Sequence, residues 1–159
     1  MSTEMKVTTV QTNGKATETA KYMYAMSRRY ASDMLPWVHC SVREIFKIIA
    51  NIPFRPDPPT EETLMRPRYT MNLRGWGGDC DDKSIALGAW ACLNHVPFRF
   101  IACRKPGHAV LHHVYPELYI NGRWVIADCT YNINTLGHQR EYYEECVILP
   151  DEPVPHVAY

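Results

Sequence analysis

The stretch GWGGDCDDKSIALGAW, residues 75–90, sets a cysteine directly behind two glycines and an aspartate, with a helix-like apolar pattern following it. Asp79 is a strong N-cap residue, and Asp82, three positions on, can reciprocate as in a capping box. Ile85, Ala86, Ala89, Trp90 and Leu93 then recur on one helical face, which Asn94 and Pro97 bring to an end. Cys80 is therefore expected in the first helical turn, where unpaired backbone N–H groups and the positive end of the helix dipole favour a thiolate. Gly77 and Gly78 are expected to let a substrate backbone come close. The carboxylates of Asp79, Asp81 and Asp82 oppose ionisation, so a reactive Cys80 calls for a cationic partner, and histidine is the natural one. A buried structural cysteine would need none of these surroundings.

The segment HHVYPELYINGRWVIADCTYN, from residue 112, indicates which histidine. Asn121-Gly122 is the strongest short signal for a two-residue hairpin of type I′. Counting outward, Ile120 pairs with Arg123, Tyr119 with Trp124, Tyr115 with Asp128 and His113 with Thr130. Alternation then sends His113, Tyr115, Tyr119, Trp124 and Asp128 to one side, leaving His113 and Asp128 as diagonal neighbours. His112 is expected on the opposite face, and His108 has the wrong parity. Pro116 cannot donate to the ladder and marks an edge or a bulge. A lone histidine on a strand is usually structural; a nucleophile at a helix tip with a His–Asp pair on a hairpin is the arrangement of nucleophilic catalysis. In it His113 takes the thiol proton, Asp128 orients the imidazole, and backbone N–H groups near Cys80 hold the oxyanion.

The remainder of the chain narrows the possibilities. Its 159 residues are enough for one domain with a real core, and 46% hydrophobic with 21% charged residues is ordinary for a soluble globular protein. Seventeen basic residues balance seventeen acidic ones, so net charge points to neither nucleic acid nor an anionic membrane. The polar N-terminus does not read as a signal peptide, and no apolar run approaches the roughly 18 residues a membrane span needs. Six cysteines occur without a Cys-x-x-Cys pair, which speaks against structural zinc. Cys92 and Cys103 read as reduced core cysteines, and a reducing compartment is expected.

A short strand is expected at MKVTTV, a turn at Asn13-Gly14, and a helix over 17–32 with the stripe Thr19, Met23, Met26 and Tyr30. Ser41 with Glu44 forms a capping box for a second helix with Val42, Ile45, Phe46 and Ile49 on its apolar face, stopped by Asn51 and Pro53. Five prolines between 53 and 67 mark an ordered loop or wrap. The expected organisation is an N-terminal helical extension over 1–33, a core domain over 34–149 and an extended tail over 150–159.

These motifs resemble the transglutaminase-like superfamily, a branch of the papain-like cysteine enzymes. The family pattern is Gly-x-Cys-x-(Asp/Glu) opening a helix, a His-containing strand and a hairpin ending near Trp-Val-x-x-Asp-Pro-Thr. Here these are GGDCDDKSIALGAW, HVYPELYING and RWVIADCT. The likeness covers roughly residues 40–132 and carries the nucleophile to Cys80, the base to His113 and the acid to Asp128. Cys129 stands where the family has proline, Pro116 interrupts the histidine strand, and GHAV at 107–110 imitates the His-Ala motif at the wrong spacing. IPFRPDPPTEETLMRPRYTM is similar to the upstream part of small versions from tailed bacteriophages. Asp81 and Asp82 match acidic positions that bind calcium in a related group of peptidases; here helix capping is the expected role, and no metal or other cofactor is implied.

The resemblance implies a papain-like α+β fold, with the nucleophile helix packed on an antiparallel sheet. It implies attack by Cys80 on an amide or acyl carbonyl, a thioester, and hydrolysis by water as a peptidase or amidase. Capture by an amine, which would make the chain a crosslinking acyltransferase, is the alternative. The implied substrate is a protein or peptide, peptidoglycan peptides among them, with no nucleic acid or membrane partner and no identifiable substrate-binding residues. A second reading makes the chain a virion or tail-assembly protein that docks on other phage tail proteins through its tyrosine-rich helix, proline-rich loop and tail. The expected location is the host cytoplasm, with incorporation into a virion under the second reading.

Overall fold

The computed structural model describes residues 7–9, 16–59, 61–72, 75 and 77–154. In chain order the elements are β1 (Val7–Thr9), α1 (Ala16–Arg29), a 3-10 helix (Ala31–Trp37), α2 (Val42–Ala50), β2 (Thr63–Met65), α3 (Pro67–Thr70), α4 (Cys80–Leu93), β3 (Phe98–Arg104), β4 (His113–Ile120), β5 (Arg123–Ile126) and β6 (Glu145–Ile148). The last four strands form one antiparallel sheet in the order β5-β4-β3-β6, while β1 pairs with β2 apart from it. This is the expected α+β plan, with the helix that begins at Cys80 set against an antiparallel sheet.

α4 is the hub. Every residue from Asp82 to Ala91 is buried, because α1, α2, α3, the 3-10 helix and β4 all pack around it. The sequence indicated one apolar face, but the small residues Ala86, Ala89 and Ala91 let neighbours approach from all sides. Its start is the capping box foreseen at Asp79 and Asp82, and its last residue precedes Asn94. α2 likewise begins with the Ser41–Glu44 box and buries Ile45, Phe46 and Ile49.

α1 buries Thr19, Met23 and Met26, so the stripe faces the chain's own core. Ser27 Oγ donates to the Ile85 carbonyl, and the Tyr24 hydroxyl accepts from Phe100 N–H while donating to the Leu149 carbonyl. The extension expected over 1–33 thus contains a helix built into the central core. Arg28 clasps Asp151 through two bonds of 2.6 and 2.7 Å, so the described part of the tail lies along α1. The turn expected at Asn13-Gly14 lies outside the described residues. The proline-rich wrap holds two short elements, β2 and α3, that its composition did not indicate; β2 is seen only through its pairing with β1.

One correction concerns the cysteines. Cys103 is not a reduced core cysteine but is disulfide-bonded to Cys146, with a Cα–Cα distance of 4.2 Å. The reason is β6, a strand with little alternating pattern of its own, which lays Cys146 directly opposite Cys103. The neighbouring Phe100–Leu149 backbone bond makes this a non-hydrogen-bonded pair, where facing side chains come closest. Cys40, Cys80, Cys92 and Cys129 are free.

Candidate active site

The hairpin fixes the histidine and the aspartate. Asn121 and Gly122 both take positive φ, 52° and 80°, as a type I′ turn requires, and the register runs from Ile120↔Arg123 to Glu117↔Ile126 as the loop predicts. The ladder stops one step later. Ala127 N–H donates to the Pro116 carbonyl, but proline has no N–H to return, so the chain beyond Ala127 peels away. The pairs expected between Tyr115 and Asp128 and between His113 and Thr130 are therefore absent from the ladder. Asp128 nevertheless reaches His113, with Nε2 and Oδ2 2.8 Å apart.

Both side chains are about nine-tenths buried. Burial alone would raise the Asp128 carboxyl, but the hydrogen bond and charge of His113, helped by Thr130, outweigh it and hold the group below its usual value. An ionised Asp128 only accepts, so Nε2 of His113 carries the proton and Nδ1 is left as the nitrogen free to take one. Asp128 is fixed at its other end as well, since Oδ1 accepts Thr130 N–H and its carbonyl accepts Asn134 Nδ2. Tyr143 stacks on the imidazole at 5.8 Å and 7°, a contact that also depends on the unforeseen course of the chain before β6.

Cys80 is the first residue of α4 and is partly exposed. It shares two cavities with His113, one of about 220 Å³ and one of about 120 Å³. The larger is acidic along one side, where Asp57, Glu62, Asp79 and Asp81 line it. The smaller is walled by Phe54, Tyr131 and Tyr143, with the Phe54 and Tyr131 rings 5.1 Å apart. Val114 N–H lies near the sulfur and favours its thiolate. In the β4–β5 register that donor faces the side the chain vacates after Ala127, so the break at Pro116 leaves it available to the sulfur.

Two expectations about Cys80 need correction. The thiol is not acidified: burial pushes it well up, the Asp81 and Asp79 carboxylates push further, and Val114 N–H only partly offsets them. The helix tip does not help because its first donors are taken, with Asp79 Oδ1 accepting both Asp81 and Asp82 N–H. The glycines, moreover, make room for the chain itself. A Cβ on Gly77, at φ +83°, would stand 2.2 Å from the Pro53 carbonyl oxygen, and one on Gly78 would meet Asp82 Cβ at 2.8 Å. Gly78 N–H donates to Pro53 and its carbonyl accepts Arg55 N–H, so the lead-in to Cys80 is docked on the proline-rich wrap.

His112, expected on the face opposite His113, precedes β4, so strand alternation does not govern it, and it lines both cavities. Its ring stacks on His108 at 4.0 Å, and burial together with His108 lowers its pKa. Asp57, Asp79 and Asp82 bring carboxylate oxygens within 4.8 Å of one another, and so do Asp79, Cys80 and Asp81 with their ligand atoms. Several of those oxygens already serve the fold: Asp82 accepts Met65 and Asp79 N–H, and Asp57 accepts Thr63 N–H. Asp79 is pushed up to about 7 by burial and by Asp57.

The model of the Transglutaminase-like superfamily matches residues 24–129, well over half the chain. No curated protein matches it. Among solved structures, a chain from Cytophaga hutchinsonii whose name provisionally calls it a cysteine protease is similar at 16% identity with a TM-score of 0.43. The match covers 94% of this chain and 57% of that one, so the present chain spans little more than half the length of that neighbour.

Proposed function

This chain belongs to the transglutaminase-like superfamily, and from that premise we propose that it is a cysteine-dependent hydrolase of amide bonds in peptides, with Cys80 as nucleophile, His113 as base and Asp128 as the group that orients His113. The observation that carries the reading is the 2.8 Å bond from His113 to Asp128 in a cleft that Cys80 also lines. Because the resting thiol is protonated, the base is needed in the first step. His113 Nδ1 takes the thiol proton as sulfur attacks the carbonyl carbon, and the resulting imidazolium is held by Asp128. The same proton goes to the leaving amine as the carbon–nitrogen bond breaks, leaving a thioester on Cys80. Water, deprotonated by His113, attacks the thioester and releases a carboxylic acid and the regenerated thiol.

Hydrolysis is placed first, and an amine in place of water would turn the same thioester into a crosslink. A docking role has less support, because the stripe of α1 faces the core and the described tail lies on α1.

The test is acylation. Incubating the protein with a p-nitrophenyl ester should give a hydroxylamine-sensitive adduct that maps to Cys80, and turnover that His113→Ala abolishes. An adduct spread over the accessible cysteines, indifferent to His113→Ala, would overturn the reading.

A further inference from the structure

Lys83 lies one turn beyond Cys80 on α4, and none of its surface reaches solvent. Among the described residues no carboxylate touches its ammonium. Nζ instead donates to three backbone carbonyls, those of Ile52 at 2.5 Å, Thr130 at 2.8 Å and Ala50 at 3.5 Å. An ammonium has three donors and no acceptor, so three carbonyls match the charged form, whereas a neutral amine would turn a lone pair toward one of them. Two of the carbonyls stand at the end of α2, where the helix dipole favours a cation. Burial lowers the Lys83 pKa, against the attraction of Cys129 and Asp128. A buried cation is costly, and an apolar side chain of the same length would fill the space at less expense. The three acceptors are what distinguish Lys83 from such a filler.

Each of the two closer carbonyls belongs to a segment that shapes the cleft. Thr130 is held at both ends of its residue: its N–H donates to Asp128 Oδ1 at 3.2 Å and its carbonyl accepts from Lys83. The segment that presents Asp128 has left the β4–β5 ladder, so Lys83 supplies part of the register the ladder no longer enforces. Ile52 precedes Pro53, whose carbonyl accepts Gly78 N–H ahead of Cys80, and Phe54, which bridges to Gly78 and walls the smaller cavity. We propose that Lys83 is a positioning residue for the reaction at Cys80: its ammonium ties the helix of the nucleophile to the segment of Asp128 and to the wrap that leads into Cys80. This inference rests on the assignment of Cys80, His113 and Asp128 proposed above.

The test compares Lys83→Met with His113→Ala, using iodoacetamide and mapping alkylation of Cys80 between pH 5 and 9. Lys83→Met should slow alkylation at neutral pH about five- to tenfold and shift the rise in rate to higher pH, reproducing the His113→Ala profile in a protein that still gives a folded circular dichroism spectrum. A folded Lys83→Met with the wild-type profile would overturn the Lys83 inference and leave the Cys80–His113 reading standing. A His113→Ala profile identical to wild type would sink that reading and this inference with it. Should Lys83→Met not fold, the nitrogen resonance of the Lys83 ammonium in isotope-labelled protein decides. It should move in Asp128→Asn, and an unmoved resonance would overturn the proposal.

Discussion

His113 Nε2 and Asp128 Oδ2 are 2.8 Å apart although the β-ladder that joins their strands has ended before either residue. The pair is held by the chain that peels off after Ala127 and by what that chain then touches, namely Thr130, Asn134 and Lys83. Asp128 is consequently a group whose orientation is set by its own loop, and its removal should be felt at the sulfur.

Asp128→Asn keeps the shape but loses the charge that supports an imidazolium, and leaves one acceptor oxygen where His113 Nε2–H and Thr130 N–H each use one. Alkylation of Cys80 by iodoacetamide at pH 7 should fall about tenfold, with little change in thermal stability. A rate equal to wild type would show that the carboxylate does not act through His113.

Asp81, whose own carboxyl burial pushes well up, is once ionised the largest charge raising the Cys80 thiol, after burial itself. Asp81→Asn should lower the thiol pKa and raise the alkylation rate below it, read as a leftward shift of the rate–pH curve. A curve shifted to higher pH would contradict the electrostatic account of this site.

Asp79 binds its proton more tightly in the folded chain, at about 7 against a usual 3.8. A raised folded pKa gives stability that is fully present below pH 3.8 and lost as pH rises to about 7. Asn is an equally good N-cap, so Asp79→Asn should remove that loss, on the order of a few kcal/mol, and melt higher than wild type at pH 7.5 but not at pH 4. Parallel melts of the two proteins across this range would refute it.

Gly77→Ala places a methyl group against the Pro53 carbonyl in a backbone conformation that L residues avoid. The expected cost is at least about 2 kcal/mol by urea denaturation. The lead-in to Cys80 should also shift, so alkylation should change in the protein that remains folded.

The disulfide closes a loop with a sequence separation of 43 between β3 and β6. Changing both Cys103 and Cys146 to Ala should cost about 2–4 kcal/mol in chemical denaturation. Non-reducing peptide mapping should recover the two residues on one linked fragment, and finding both as free thiols would remove the crosslink.

Much of this site was legible because its signals are local. A capping box needs only residues three apart, so Asp79 with Asp82 and Ser41 with Glu44 announced two helix starts to the residue. A two-residue turn propagates its register outward, so Asn121-Gly122 aligned the two strands as far as Glu117 and Ile126, and the last step from Asp128 to His113 was left to the loop. Composition and spacing could not go further, because what they missed depends on segments distant along the chain. Whether Gly77 admits a substrate or Pro53 is settled by where the wrap lies. Whether Cys103 is reduced is settled by a strand 43 residues away. The state of the Cys80 thiol follows the same division: its place at a helix tip is a matter of sequence, but its ionisation depends on which charges and how little water surround it. Those are properties of the packed chain, since desolvation and Coulomb forces act through space and take no account of order along the backbone.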